Sequence, residues 1–295
     1  MIQVTRNSIR AWLLASRPKT LTGAAVPVMV GLSLAYESTE LKLIPSILCL
    51  LFALIMQIDA NFINDYFDFK KGIDDSNRLG PKRACAEGWI TLPAMKTAII
   101  LTTILACIIG LPLIYYGGWM MILVGLLCVV FCFLYTTLLS HKGLGDVLVL
   151  LFFGLVPVCI TYYLQTGIVT FTTFLLSVAC GLVIDALLIV NNYRDIDNDK
   201  MKNKITLVVI IGRKATEIIY LLVGVVAVLL SQVLWITSDS LAPLFSLLYL
   251  VFHVKTWLRM KTIAKGKQLN DVLGETARNI LIFGLLISIG LLINI

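Results

Sequence analysis

Nine long apolar runs leave this chain few ways to fold. They cover residues 20–36, 44–63, 97–116, 119–139, 147–165, 171–190, 218–236, 241–258 and 277–295. Each is near the length that crosses a bilayer. Inside lipid every backbone polar group must find a partner within its own segment, so such runs become helices. The expected fold class is therefore an all-α integral membrane protein, a bundle of about nine transmembrane helices in a single domain over 1–295. Pro27, Pro112 and Pro157 lie inside runs and predict kinks. Only 14% of residues are charged, against about 25% in soluble domains, which excludes a soluble globule. No small-residue cleavage site follows the first run, so a cleaved signal peptide is not expected.

The connections alternate. One set is short and nearly uncharged, at 37–43, 117–118, 166–170 and 237–240; the other is long and basic. Of the 24 Lys and Arg, only Lys42 falls in the first set. That asymmetry predicts an orientation with the N-terminus and basic loops in the cytoplasm and the C-terminus outside. The net charge of +7 is thus one-sided. It suits anionic lipid and an anionic substrate, and no nucleic-acid partner is expected. All seven cysteines except Cys85 fall in apolar runs and read as small buried hydrophobes. With only His141 and His253 present, His-based zinc chemistry is not expected.

Two basic connections also carry acids, in Asp-rich loops expected at about 64–95 and 191–214. The first contains "NDYFD" (64–68) and the second "NNYRD" (191–195). They follow runs of the same direction, with four runs between equivalent points, which suggests an internal repeat. Gln57, Asn61, Asn64 and Asp68 recur at helical spacing on one face of a helix that continues past the apolar run. Asp195 and Asp199 share a face one turn apart, with Asp185 and Asn192 close to it. Polar stripes on membrane helices face the bundle interior or a cavity. Asp59 points away from the first stripe, so a pairing with another helix is the one role open to it. Acids at helix C-termini oppose the helix dipole, so a positive partner is required. Hard divalent cations with substrate phosphates supply one, and neighbouring Lys and Arg suit a phosphate. The residues point to a metal-bridged phosphate or diphosphate at the mouth of an intramembrane cavity.

These motifs resemble the two aspartate-rich motifs of the UbiA superfamily of membrane prenyltransferases. The first takes the form N-D-x-x-D with a further Asp, carried by Asn64, Asp65, Asp68 and Asp74; the second is D-x-x-x-D, carried by Asp195 and Asp199. "SRPKTLTGAAVPVMVG" (16–31) and "GLGDVLVLLFFGLVPV" (143–158) extend the likeness over nearly the whole chain. "KGIDDSNRLGPKR" (71–83) and "NNYRDIDNDKMKNKITL" (191–207) look most like the branch that prenylates 1,4-dihydroxy-2-naphthoate for menaquinone synthesis. Asn203 stands where that branch usually has Gly, and Asp59 where a small residue is more typical.

The resemblance implies an Mg²⁺-dependent transferase. It would bind a polyprenyl diphosphate, ionise it to an allylic cation, and alkylate an aromatic acceptor with loss of diphosphate and CO₂. By the same analogy Asn64, Asp65, Asp68, Asp74, Asp195 and Asp199 are the expected Mg²⁺ ligands, and Lys142, Arg83 and Lys204 the expected diphosphate contacts. Arg194 has two readings, diphosphate contact or pairing with the aspartates beside it. Tyr135 is expected either to stabilise a cation with its ring or to sit in the interfacial belt. Asp146 is expected to orient or deprotonate the acceptor hydroxyl. Arg17 and Lys19 are candidates for the acceptor carboxylate, and Gln57, Asn61 and Asn192 for the cavity wall. The alternatives are another aromatic acceptor, such as 4-hydroxybenzoate, and, more distantly, a cation transporter.

Overall fold

The computed structural model describes residues 4–72 and 78–293. Thirteen α-helices form in chain order: α1 (Ile9–Ser16), α2 (Leu21–Tyr36), α3 (Leu43–Lys70), α4 (Leu92–Gly110), α5 (Leu113–Gly117), α6 (Met120–Thr137), α7 (Gly145–Val149), α8 (Val156–Thr166), α9 (Phe171–Met201), α10 (Leu207–Ser231), α11 (Leu234–Thr237), α12 (Ala242–Ile263) and α13 (Leu269–Leu291). Among the described residues each of the nine predicted runs lies mainly on helix, with turns breaking the third run after Gly110 and the seventh after Ser231. Seven of the helical segments are long and apolar enough to cross a bilayer on those grounds alone. The other two are α2, which is only 16 residues long, and α12, which carries Lys255, Arg259 and Lys261 in its second half. Large apolar side chains such as Leu101, Ile108, Leu126 and Leu229 stay exposed on the outside of the bundle, as expected where the surrounding solvent is lipid.

Two helices outrun their apolar segments. α3 continues to Lys70 and α9 to Met201. Asp65 and Asp68 of the first predicted loop and Asp195, Asp197 and Asp199 of the second therefore sit on helices, and α10 restarts at Leu207. The polar stripes keep helical spacing beyond the lipid, and the ladder continues with them. Lys202 caps α9, and Asn203 follows with φ 53°. That left-handed turn favours glycine, and Asn is among the few other residues that adopt it routinely. The substitution noted in the sequence thus keeps the turn.

The fifth run is interrupted. Leu150–Leu155 forms a π-helical turn between α7 and α8, and Pro157 opens α8. This turn packs on α9 through facing glycines. A Cβ on Gly154 would lie 2.5 Å from the Ser177 carbonyl and 2.7 Å from Gly181 Cα. A Cβ on Gly181 would lie 3.0 Å from the Leu150 carbonyl. Gly154→Ala should force the two backbones apart and destabilise the protein by about 1–3 kcal/mol, the usual range for overpacking. Thermal melting in detergent measures it.

Asp59 is fully buried and finds the helix partner its position demands. Thr102 and Thr103 of α4 donate to its two carboxylate oxygens at 2.5 and 2.8 Å. α1 is a short helix that sequence periodicity did not single out. It buries Ala11 and Ala15 and leaves Ile9 and Leu13 exposed.

Candidate active site

A cavity of about 830 Å³ runs through the bundle. At one end, the motif side, Asn64 and Asp68 of α3 and Asn192 of α9 line it, with Arg17, Arg83 and Lys204 from the connections. Toward the other end its wall is apolar, and it reaches Leu113, Ile114 and Met121. Arg78 and Lys82, from the first loop, also line the mouth. Lys204 and Thr206 bring the start of α10 to it, with the Thr206 hydroxyl accepting from the Val209 N–H at 3.2 Å. A helix N-terminus adds partial positive charge. The mouth is therefore a basic rim set around a few acids, suited to a polyanion.

The acids are each matched to a base. Asp68 lies 3.9 Å from an Arg83 nitrogen, and one oxygen of Asp199 lies 3.4 Å from Lys204 Nζ. Asp195 receives Arg194 bidentately, at 2.9 and 2.6 Å. Of the two readings of Arg194, the pairing is what the geometry shows. This guanidinium is 1% exposed. It also donates to Asn191 and to Asn270, both at 2.8 Å, and Asn270 in turn donates to the Leu79 carbonyl at 2.8 Å. Arg194 thus ties the second motif to α13 and to the first loop.

Asn64 accepts from the Thr136 hydroxyl at 2.6 Å, which fixes its amide at the cavity wall. Asn61 donates to the Ser16 carbonyl and to Thr20, and Gln57 donates to Thr20 at 3.2 Å. An Arg17 nitrogen reaches the Asn61 carbonyl at 3.4 Å. These groups hold the α1–α2 junction on α3, and of them Gln57, Thr20 and Arg17 line the cavity. Tyr135 also lines the cavity rather than a lipid belt, beside Asp146.

Seven expected site residues are not on the wall. Asp65 is 1% exposed, and its two oxygens accept from the Ala84 and Cys85 N–H groups at 2.9 and 3.0 Å. One residue from Asn64 is about 100° of helix, enough to turn Asp65 behind the loop. Lys19 is exposed on the 3₁₀ turn Pro18–Thr20. Lys142 is exposed, its backbone bridged to Ile205. Asp74 lies outside the described residues. Asp199, Arg194 and Asn61 are one contact behind the wall, through Lys204, Asn191 and Gln57 respectively, and Asp195 is one contact further back, through Arg194.

Because Asp65 anchors the loop through charge-assisted hydrogen bonds, each worth about 1.5–3 kcal/mol, Asp65→Ala should free residues 84–85. The expected signs are a lower melting temperature and faster proteolysis in the first loop, with the wild-type protein as reference.

Among the described residues no three His, Cys, Asp or Glu side chains converge closely enough to hold a metal unaided. Mg²⁺ does not require this, since it binds through one or two carboxylates completed by substrate phosphates and water. The donor set fits such half-sites. Asn64 and Asp68 supply oxygens at the wall, and a buried oxygen of Asp199 has no hydrogen-bond partner. Asp195 fits less well, because Arg194 occupies both of its oxygens.

Comparison with known proteins gives the family and the fold. Residues 24–270 match the UbiA prenyltransferase family. The 1,4-dihydroxy-2-naphthoate octaprenyltransferase of Escherichia coli strain K12 is 37% identical over 71% of this chain and 70% of its own length. That of Haemophilus influenzae is 30% identical over 99% of both chains. A solved UbiA homolog from Archaeoglobus fulgidus, bound to DMAPP and Mg²⁺, has the same fold with a TM-score of 0.63. It is 14% identical and the match covers 94% of this chain and 99% of that one.

Proposed function

We propose, for a chain that belongs to the UbiA prenyltransferase family, the transfer of a polyprenyl group from its diphosphate to 1,4-dihydroxy-2-naphthoate, with loss of diphosphate and CO₂. The product is demethylmenaquinol. The observation that carries the reading is the form of the cavity, apolar along its length and closed at one end by a basic rim with carboxylates among the bases. A polyprenyl diphosphate has the same two parts. The acceptor is taken from the named relatives, which act on this naphthoate by name over most of the chain.

The rim performs the first half of the reaction. As the allylic C–O bond breaks, the electron pair leaves with the diphosphate. Arg83, Lys204 and the α10 N-terminus face the charge that develops there. Mg²⁺ held by Asn64, Asp68 and Asp199 would supply Lewis-acid stabilisation of the same group. Apolar walls exclude water, so the cation survives until the ring reaches it, and the Tyr135 ring lies where it can face positive charge. The ring carbon bearing the carboxylate then forms the new C–C bond. Departure of CO₂ returns its bonding electrons to the ring. Arg17, beside Gln57 on the same wall, is placed to receive that carboxylate.

The one-sided basic loops support an orientation with the motif side in the cytoplasm of a bacterial inner membrane. The test is direct. Purified protein in detergent is given Mg²⁺ and a polyprenyl diphosphate, with 1,4-dihydroxy-2-naphthoate and 4-hydroxybenzoate offered in parallel. Mass spectrometry should find a prenylated naphthalene diol lacking the carboxyl mass, and EDTA should abolish it. Prenylated hydroxybenzoate alone would overturn the acceptor and leave the transfer chemistry.

A further inference from the structure

Among the described residues Asp146 and Asp185 form no ion pair and, unlike Asp59 and Asp65, are not satisfied by hydrogen bonds on both oxygens. Asp146 opens α7, and Asp185 lies near the middle of α9. Asp185 is 7% exposed, and one oxygen of each carboxylate is buried with no hydrogen-bond partner. A carboxylate in such a place is costly unless something answers it, and the reaction as described so far uses only Asp146, by analogy.

The packing puts the two side by side. α9 runs toward the motif side and α7 runs away from it. They meet where Gly181 lies against Leu150, a Cβ on Gly181 coming within 2.7 Å of the Leu150 side chain. One helical turn toward the motif side from that contact leads to Asp185 on α9 and to Asp146 on the other helix. The two are close enough for their charges to repel. Gly145, next to Asp146, completes the fit. Its Cβ position is 3.4 Å from Leu188 of α9 and 3.9 Å from the Tyr135 hydroxyl. Asp146, Tyr135, Ile184 and Leu188 all line the cavity, so Asp146 stands at its wall, with Asp185, 7% exposed, packed at its back. The π turn follows directly, and such turns often re-aim helices at functional sites.

We propose that Asp146 and Asp185 together form the hydroxyl-binding end of the aromatic acceptor site. Carboxylate oxygens accept hydrogen bonds and repel carboxylates. The pair therefore accepts from the C4 hydroxyl, the one not adjacent to the carboxylate on C2, and turns the ring's own carboxylate toward Arg17 and the rim. This orients the ring, so that the carbon to be alkylated faces the prenyl cation. The inference rests on the proposed reaction for the identity of the ring, and it adds Asp185, which no motif marks.

The experiment uses the full-length protein in detergent, wild type, Asp185→Asn and Asp146→Asn. Initial rates are measured with each substrate varied in turn, and with two analogues of the acceptor that each lack one hydroxyl, 1-hydroxy-2-naphthoate and 4-hydroxy-2-naphthoate. Loss of one hydrogen bond to a charged group corresponds to roughly tenfold or more in affinity. The acceptor KM should rise by about that factor in both variants, with the prenyl diphosphate KM within about twofold of wild type. Wild type should prefer the dihydroxy acceptor to at least one analogue by about tenfold, and that preference should collapse in Asp185→Asn.

A preference unchanged by both substitutions would overturn the proposal, as would equal increases in both KM values together with a fall in melting temperature. Should the variants fail to fold, wild type decides alone, since equal binding of both analogues and the dihydroxy ring refutes a hydroxyl site. If wild type alkylates 4-hydroxybenzoate instead of the naphthoate, the proposed reaction fails by itself. The pair is then judged on 4-hydroxybenzoate against 4-methoxybenzoate binding, where loss of discrimination in Asp185→Asn supports it and unchanged discrimination refutes it.

Discussion

Asp199→Asn is expected to lower kcat/KM for prenyl transfer by about 10²–10³-fold, the scale on which removal of one electrostatic stabiliser of a transition state acts. Asp199 is 5% exposed near the end of α9, one oxygen facing Lys204 at 3.4 Å and the other without a partner. Burial of this kind is unfavourable in the protein alone and becomes favourable when a cation and a diphosphate complete the site. Asn has the same shape, so packing should survive, and the melting temperature should stay within a few degrees of wild type. The Mg²⁺ concentration giving half-maximal rate should rise. A Mg²⁺ titration of wild type and variant, read by product mass, checks both. Full activity at unchanged Mg²⁺ demand would reduce Asp199 to a structural partner of Lys204. A parallel Lys204→Met variant separates the two roles, since it should raise the KM for the prenyl diphosphate with less effect on Mg²⁺ demand.

The helices were legible because lipid removes the alternatives to them, and the stripe of Gln57, Asn61, Asn64 and Asp68 was legible because a period of 3.6 residues is a local property. The same periodicity carried α3 and α9 past the lipid. What the sequence did not show was partnership across the chain. Asn270 donates to Leu79, 191 positions away, and no local pattern foretells that contact. Asp65 has the composition of a metal ligand, and only the fold shows that the N–H groups of Ala84 and Cys85 take its oxygens. Lys142 stood next to the right glycines but faces solvent, because a backbone bridge to Ile205 sets its direction. Asp185 had two signals, a lone acid in the middle of an apolar run and a helical position close to the Asp195–Asp199 face. Its counterpart in Asp146 depends on where two helices cross, which Gly154 and Gly181 fix by contact.

Arg194→Met should destabilise the protein by about 3–5 kcal/mol, the cost of leaving one partner of a buried ion pair alone. The guanidinium is almost fully buried, and its partners come from α9 itself and from α13: Asp195, Asn191 and Asn270. Gly80 packs so closely on it that a Cβ there would lie 2.7 Å from a guanidinium nitrogen. Lys cannot replace it, having one ammonium where a planar fork serves three side chains, so Arg194→Lys should recover only part of the loss. The informative variant is the double one, Arg194→Met with Asp195→Leu. Removing both charges removes the uncompensated one, so the melting temperature should return toward wild type. Prenyl transfer should not return with it, because the first loop and its rim residues Arg78, Lys82 and Arg83 lose their tie to the second motif through Asn270. Stability and activity recovering together would show that the pair is dispensable scaffolding. Activity lost from Arg194→Met at unchanged melting temperature would instead make Arg194 a direct contact of the diphosphate.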